Sequence, residues 1–131
     1  MTIPHKPAGY PALSPYLCVD GAARTIEFMV RVFDGVELCR YPAPDGRIGH
    51  AAVRIDDSVV MLGDAGPNWP ATPAHVHLYV RDVDATYRAA LAAGATSVQE
   101  PIKKADDDKR GGVKDPGGTT WWIATQVALP T

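Results

Sequence analysis

Two cysteines in 131 residues are too few for a disulfide scaffold. Cys18 and Cys39 read instead as free thiols in a reducing compartment, which points to the cytoplasm. Long apolar runs are lacking as well: none approaches the length that spans a bilayer, and Met1 to Tyr10 has no apolar core of a secretory signal. No membrane partner is expected. Nor is there an excess of one charge. Thirteen basic and fifteen acidic residues leave a net charge of −2, which gives no electrostatic reason to expect nucleic acid. What is present is ordinary for a globular chain, 46% apolar and 21% charged. A chain of this length buries roughly two thirds of its unfolded surface and needs neither disulfide nor metal to fold.

The pattern along the chain repeats. Pro15 to Val19 reads as a strand, with Asp20 as the N-cap of a helix whose apolar face is Ala22, Ile26, Met29, Val30 and Phe33. Gly35 is expected to stop that helix. Strands at Val36–Tyr41, Ile48–Ile55 and Ser58–Leu62 follow, separated by turns at Pro44-Asp45-Gly46 and Asp56-Asp57. After about sixty residues the same order returns, as an internal repeat should. His75 to Val80 is a strand, and Asp82 caps a helix with Val83, Tyr87, Ala90 and Leu91 on its apolar face. Gly94 ends that helix. Short strands near Thr96–Gln99 and Gly112–Lys114 flank a charged loop, Lys103 to Arg110, and the turn Asp115-Pro116-Gly117-Gly118 leads to a last strand, Thr119–Thr125. The expectation is an α+β fold of two βαβββ modules, 12–64 and 75–126, joined by a Pro-, Gly- and Ala-rich linker at 65–74 and forming a curved mixed sheet around a central cleft.

Strand alternation sorts the side chains. If Val76, Leu78 and Val80 pack under a helix, then His75, His77 and Tyr79 face the cleft. If Ala51, Val53 and Ile55 are covered, His50, Ala52 and Arg54 face it, and Tyr16 and Cys18 join them from the first strand. Trp121 falls on the helix side as core, and Trp122 on the cleft side as a stacking surface for a planar ligand. An arginine such as Arg54 offers a fixed fork of donors to a carboxylate or phosphate, or else pairs with Asp56. Trp69, in the linker, is placed to close over the cleft or to pack at a subunit contact. Cys18 has no partner in the sequence that would lower its pKa.

Two stretches resemble a known family. Ile48-Gly49-His50-Ala51-Ala52-Val53-Arg54-Ile55-Asp56-Asp57-Ser58-Val59-Val60-Met61-Leu62 resembles the middle of the first half of one glyoxalase-like branch. Gly111-Gly112-Val113-Lys114-Asp115-Pro116-Gly117-Gly118-Thr119-Thr120-Trp121-Trp122-Ile123-Ala124-Thr125 resembles its closing hairpin. Tyr16-Leu17 with Val19-Asp20, and Val80 with Asp82-Val83-Asp84, are similar to its two strand-to-helix openings. The resemblance is to the vicinal-oxygen-chelate superfamily of glyoxalase, bleomycin-resistance and dioxygenase proteins, in a branch of which some sequences carry a demethylubiquinone methyltransferase-like label. No glycine-rich nucleotide loop follows a strand and opens a helix here, so nothing supports methyl transfer. That branch often has an aromatic-Gly-Asp-Arg element; in Asp107-Asp108-Lys109-Arg110 only Arg110 carries over.

Superfamily enzymes hold a divalent metal between the halves, and the resemblance puts the corresponding positions at Ser14, Met61, His75 and Trp122. Only His75 is a normal ligand for such an ion. The expectation is therefore a metal-independent small-molecule-binding protein with no cofactor, forming a homodimer as similar proteins do. Its ligand is expected against Tyr16, His50, Arg54, His75, His77, Tyr79 and Trp122. The alternative is a metal-dependent lyase, isomerase or dioxygenase acting on vicinal oxygens, with His75 as a ligand. His50, His75 and His77 are also the candidates for a general base.

Overall fold

Residues 2–131 are described by the computed structural model, in which the β-α-β-β-β order occurs twice. The first module runs β1 (Tyr16–Val19), α1 (Ala22–Phe33), β2 (Val36–Pro42), β3 (Ile48–Ile55) and β4 (Ser58–Asp64). The second runs β5 (His75–Tyr79), α2 (Val83–Ala92), β6 (Thr96–Lys103), β7 (Asp108–Lys114) and β8 (Thr120–Gln126). Each module builds its own four-stranded mixed sheet, in the orders β1-β4-β3-β2 and β5-β8-β7-β6. In both, the first and last strands of the module pair in parallel (β1 with β4, β5 with β8) and the other pairs are antiparallel. This is the α+β arrangement expected, with two sheets that do not close on one another.

Several local expectations are corrected. Asp20 does not cap α1. The N-cap is Gly21, and the carboxylate that serves the helix start is Asp64 at the end of β4, accepting from the Gly21 and Ala22 amides at 3.2 and 2.7 Å. Its second oxygen accepts from the Ile48 amide at 2.8 Å, so one side chain ties helix start, β3 and β4 together. The C-cap of α1 is Asp34, in the left-handed region at φ 55°, one residue before Gly35. Asp82 does cap α2, accepting from the Ala85 amide at 3.1 Å. Phe28 and Val32 are buried whereas Val30 is exposed, because α1 is covered both by its sheet and by α2, which moves its apolar arc. Leu91 is exposed for the opposite reason: α2 buries only a narrow stripe around Val83 and Ala90.

The largest difference lies between Lys103 and Arg110. The expected charged loop shrinks to residues 104–107, and the flanking residues continue β6 and β7 as a long hairpin. Four of its charges are engaged in ion pairs: Lys109 bonds Asp84 at 2.9 Å, and Arg110 bonds Asp106 and Asp108 at 3.0 and 2.8 Å.

The helix-side faces of the two sheets share a single apolar core. The Phe33 ring of α1 lies 4.9 Å from that of Trp121 on β8, and α1 packs against α2. Buried Trp121 satisfies its indole N–H on Asp115 at 2.9 Å, while the other Asp115 oxygen accepts from the Gly117 and Thr119 amides. The opposite faces carry His50, His75, His77 and Trp122.

Candidate functional site

The alternation expected from the sequence holds. Leu17, Val19, Ala51, Val53, Ile55, Trp121 and Ile123 lie in the core, with Val76 and Leu78 packed against it. Their strand neighbours point to the opposite faces, where Tyr16 and Tyr79 are exposed while the small Ala52 and Ala124 are fully buried.

On the first open face three rings form a row. Tyr16 and His50 lie 5.7 Å apart with planes 27° from parallel, and His50 and Tyr41 lie 6.0 Å apart at 14°. The Tyr16 hydroxyl is 3.4 Å from His50 Nδ1. Arg54 does not pair with Asp56; its guanidinium donates to the Gly9 carbonyl at 3.4 Å, so the segment before β1 runs beside this face. Cys18 donates to the linker carbonyls of Trp69 and Pro70 at 3.5 and 3.3 Å. Burial, helped by Asp64, pushes the Cys18 thiol up, which suits a resting thiol rather than a nucleophile. The Trp69 side chain stays exposed.

The second face carries the more ordered constellation. Trp122 donates its indole N–H to His75 Nδ1 at 3.0 Å, and the two ring planes differ by 9°. An indole N–H and an imidazole lone pair both lie in their ring planes, so this bond joins the rings edge to edge into one flat surface. Space for it comes from Gly112, the residue opposite Trp122 on β7: a Cβ there would sit 2.6 Å from the indole Cζ3. Beside this surface Arg110 donates from Nε to His77 Nε2 at 3.0 Å, and Tyr79 donates its hydroxyl to Asp108 at 2.8 Å. Burial and then the Arg110 guanidinium lower the His77 pKa, against Asp108 and Asp106. The bond to Asp108 raises that of Tyr79.

The expected site residues thus fall into two groups. Tyr16, His50 and Arg54 belong to the first face; His75, His77, Tyr79 and Trp122 belong to the second. Among the described residues no hydrogen bond or ring contact links the two groups. Sequence reasoning missed Tyr41, Asp108, Gly112 and the part played by Arg110. Extending the alternation of β7 back from Gly112 places Arg110 on the same face, a signal hidden by reading its charges as a loop.

The four positions where related enzymes place a metal do not make a coordination set. Met61 and Trp122 offer a thioether and an indole. The Trp122 N–H is spent on His75, which leaves that imidazole without a free lone pair at Nδ1.

Residues 11–123 match the model of the Glyoxalase/Bleomycin resistance protein/Dioxygenase superfamily. The chain belongs to this superfamily. An uncharacterized protein of Mycobacterium tuberculosis is 44% identical over 128 residues, covering 89% of this chain and 75% of that one. Among solved structures, TioX from Micromonospora sp. ML1 is similar with a TM-score of 0.75 and 28% identity, covering 88% of this chain and 98% of its own. TnmS3 of Streptomyces sp. CB03234, an antibiotic binding protein, superposes with a TM-score of 0.67 at 21% identity, covering 89% of this chain and 99% of that one. At that identity the likeness is one of fold.

Proposed function

We propose that this glyoxalase-superfamily chain is a metal-independent small-molecule-binding protein that holds a planar ligand between two ring-bearing sheet faces. The observation that carries the proposal is the coplanar Trp122–His75 pair lying over Gly112. A flat surface of that kind recognises a π-system by stacking, and stacking asks for no reacting group. The row Tyr16–His50–Tyr41 on the other face supplies a matching wall. Binding of an antibiotic by TnmS3, which has the same fold, supports sequestration as the biological use.

One face alone is an open wall, and among the described residues no hydrogen bond or ring contact joins the two faces of one chain. The groove is therefore proposed to form in a homodimer, the first face of one copy opposing the second face of its partner, in the cytoplasm where Cys18 and Cys39 remain thiols. The rival reading, a metal-dependent enzyme, has Ser14, Met61 and Trp122 against it. A calorimetric titration with naphthalene tests the proposal, because that probe offers a planar surface and no metal ligand. Saturable binding that survives a chelator and is lost in Trp122→Ala is the expected result. Binding that requires added Zn²⁺, Ni²⁺, Mn²⁺ or Fe²⁺ and is abolished by His75→Ala would favour the rival.

A further inference from the structure

The second face bears two imidazoles, and each accepts a hydrogen bond from a group that can only donate. An indole N–H has no acceptor capacity, and a guanidinium keeps its protons at all accessible pH. His75 Nδ1 faces the first at 3.0 Å and His77 Nε2 faces the second at 3.0 Å. Each ring must then keep a lone pair at the bonded nitrogen and carry its proton on the other one. Resting on the ligand reading above, we propose that Arg110 is a specificity-determining positioning residue. It fixes His77 as a neutral Nδ1–H donor, which together with the Nε2–H of His75 selects planar ligands bearing a hydrogen-bond acceptor, such as a ring carbonyl or a pyridine-type nitrogen.

Arg110 is itself held. Its remaining nitrogens are anchored to Asp106 and Asp108, and Asp108, which is buried, also takes the Tyr79 hydroxyl. The guanidinium is thereby kept at His77 rather than free to meet a ligand anion. Its charge is offset by two carboxylates, so the face does not favour an anionic partner. Neither imidazole is poised as a base: the lone pair each retains is the one already engaged, and its free nitrogen carries hydrogen. The face is built to donate.

The test needs no ligand at first. In protein labelled with isotopic nitrogen in histidine, a long-range proton–nitrogen NMR spectrum at neutral pH should show His77 as the Nδ1–H tautomer, the less common form in water. Arg110→Met should return His77 to the common Nε2–H form, and Arg110→Lys, which keeps a donor, should retain a part of the Nδ1–H form. A wild-type His77 carrying its proton on Nε2, or on both nitrogens, overturns the proposal, and this holds whether or not the variants fold. Ligand choice is then read with coumarin, a planar carbonyl acceptor, against naphthalene of similar size. Wild type should prefer coumarin by roughly threefold to tenfold, the range for one hydrogen bond, and Arg110→Met should lose that preference while still binding naphthalene. Equal affinity of wild type for the two probes overturns the donor role. Failure of both probes to bind counts against the planar-ligand reading itself, and the tautomer spectrum alone then decides the assignment of Arg110.

Discussion

Gly112 and Trp122 face each other across the β7–β8 ladder, and a methyl group on the glycine would stand 2.6 Å from the indole ring. The backbone there is ordinary extended strand, so alanine is tolerated by the chain and refused only by the ring. Gly112→Ala should therefore fold with near-native stability but tilt Trp122 away from His75. The expected loss of affinity for naphthalene is roughly threefold to tenfold, the size of an aromatic stacking contribution. Calorimetric titration of the variant checks it.

Asp115 is the acceptor for three buried or part-buried N–H groups, those of Gly117, Thr119 and the Trp121 indole. Asp115→Ala leaves all three without a partner next to the junction of the modules. Each orphaned donor is costly, and a loss of roughly 3 kcal/mol or more in urea unfolding is expected. Asp115→Asn retains an acceptor oxygen and should lose less. Equal stability of wild type and the alanine variant would show that the carboxylate does not hold the junction.

Asp64 gives a pH dependence. Burial opposes its ionisation, but the amides of Ala22, Ile48 and Gly21, with Arg47 nearby, outweigh burial and leave its pKa below the ordinary value. The unfolded chain, with an aspartate pKa of about 3.9, then binds the proton more readily than the folded one. Stability from Asp64 is fully present above the unfolded pKa and is lost as pH falls through the lowered folded value. Asp64→Asn should be less stable than wild type at neutral pH, with the two curves converging under acid. A pH-independent difference in urea midpoint would contradict this.

The alternation of strands was legible without coordinates. His75, His77 and Tyr79 separate from Val76 and Leu78 by period alone, and Trp121 from Trp122 likewise, because one face of each sheet is under a helix. Asp64 as the cap of α1 was not legible, since a residue more than forty positions away displaces the local candidate Asp20. Arg110 was missed because its side chain is held by ion pairs to Asp106 in the turn and Asp108 on its own strand rather than by an apolar pattern. The relation between the two faces was hidden for a deeper reason. Periodicity tells which side of a sheet is covered, and says nothing about which sheet meets which. Phe33 reaching Trp121 shows which helix-side surfaces meet, a contact that no periodicity encodes.

Mixing two crippled variants tests the proposed two-copy groove most directly. Tyr16→Ala/His50→Ala damages only the first face, and Trp122→Ala only the second. If a groove takes one face from each of two copies, mixed dimers contain one groove with both walls intact, and naphthalene binding absent from either variant alone should return after unfolding and refolding them together. No binding in the mixture, although each variant forms dimers and wild type binds, would contradict the account.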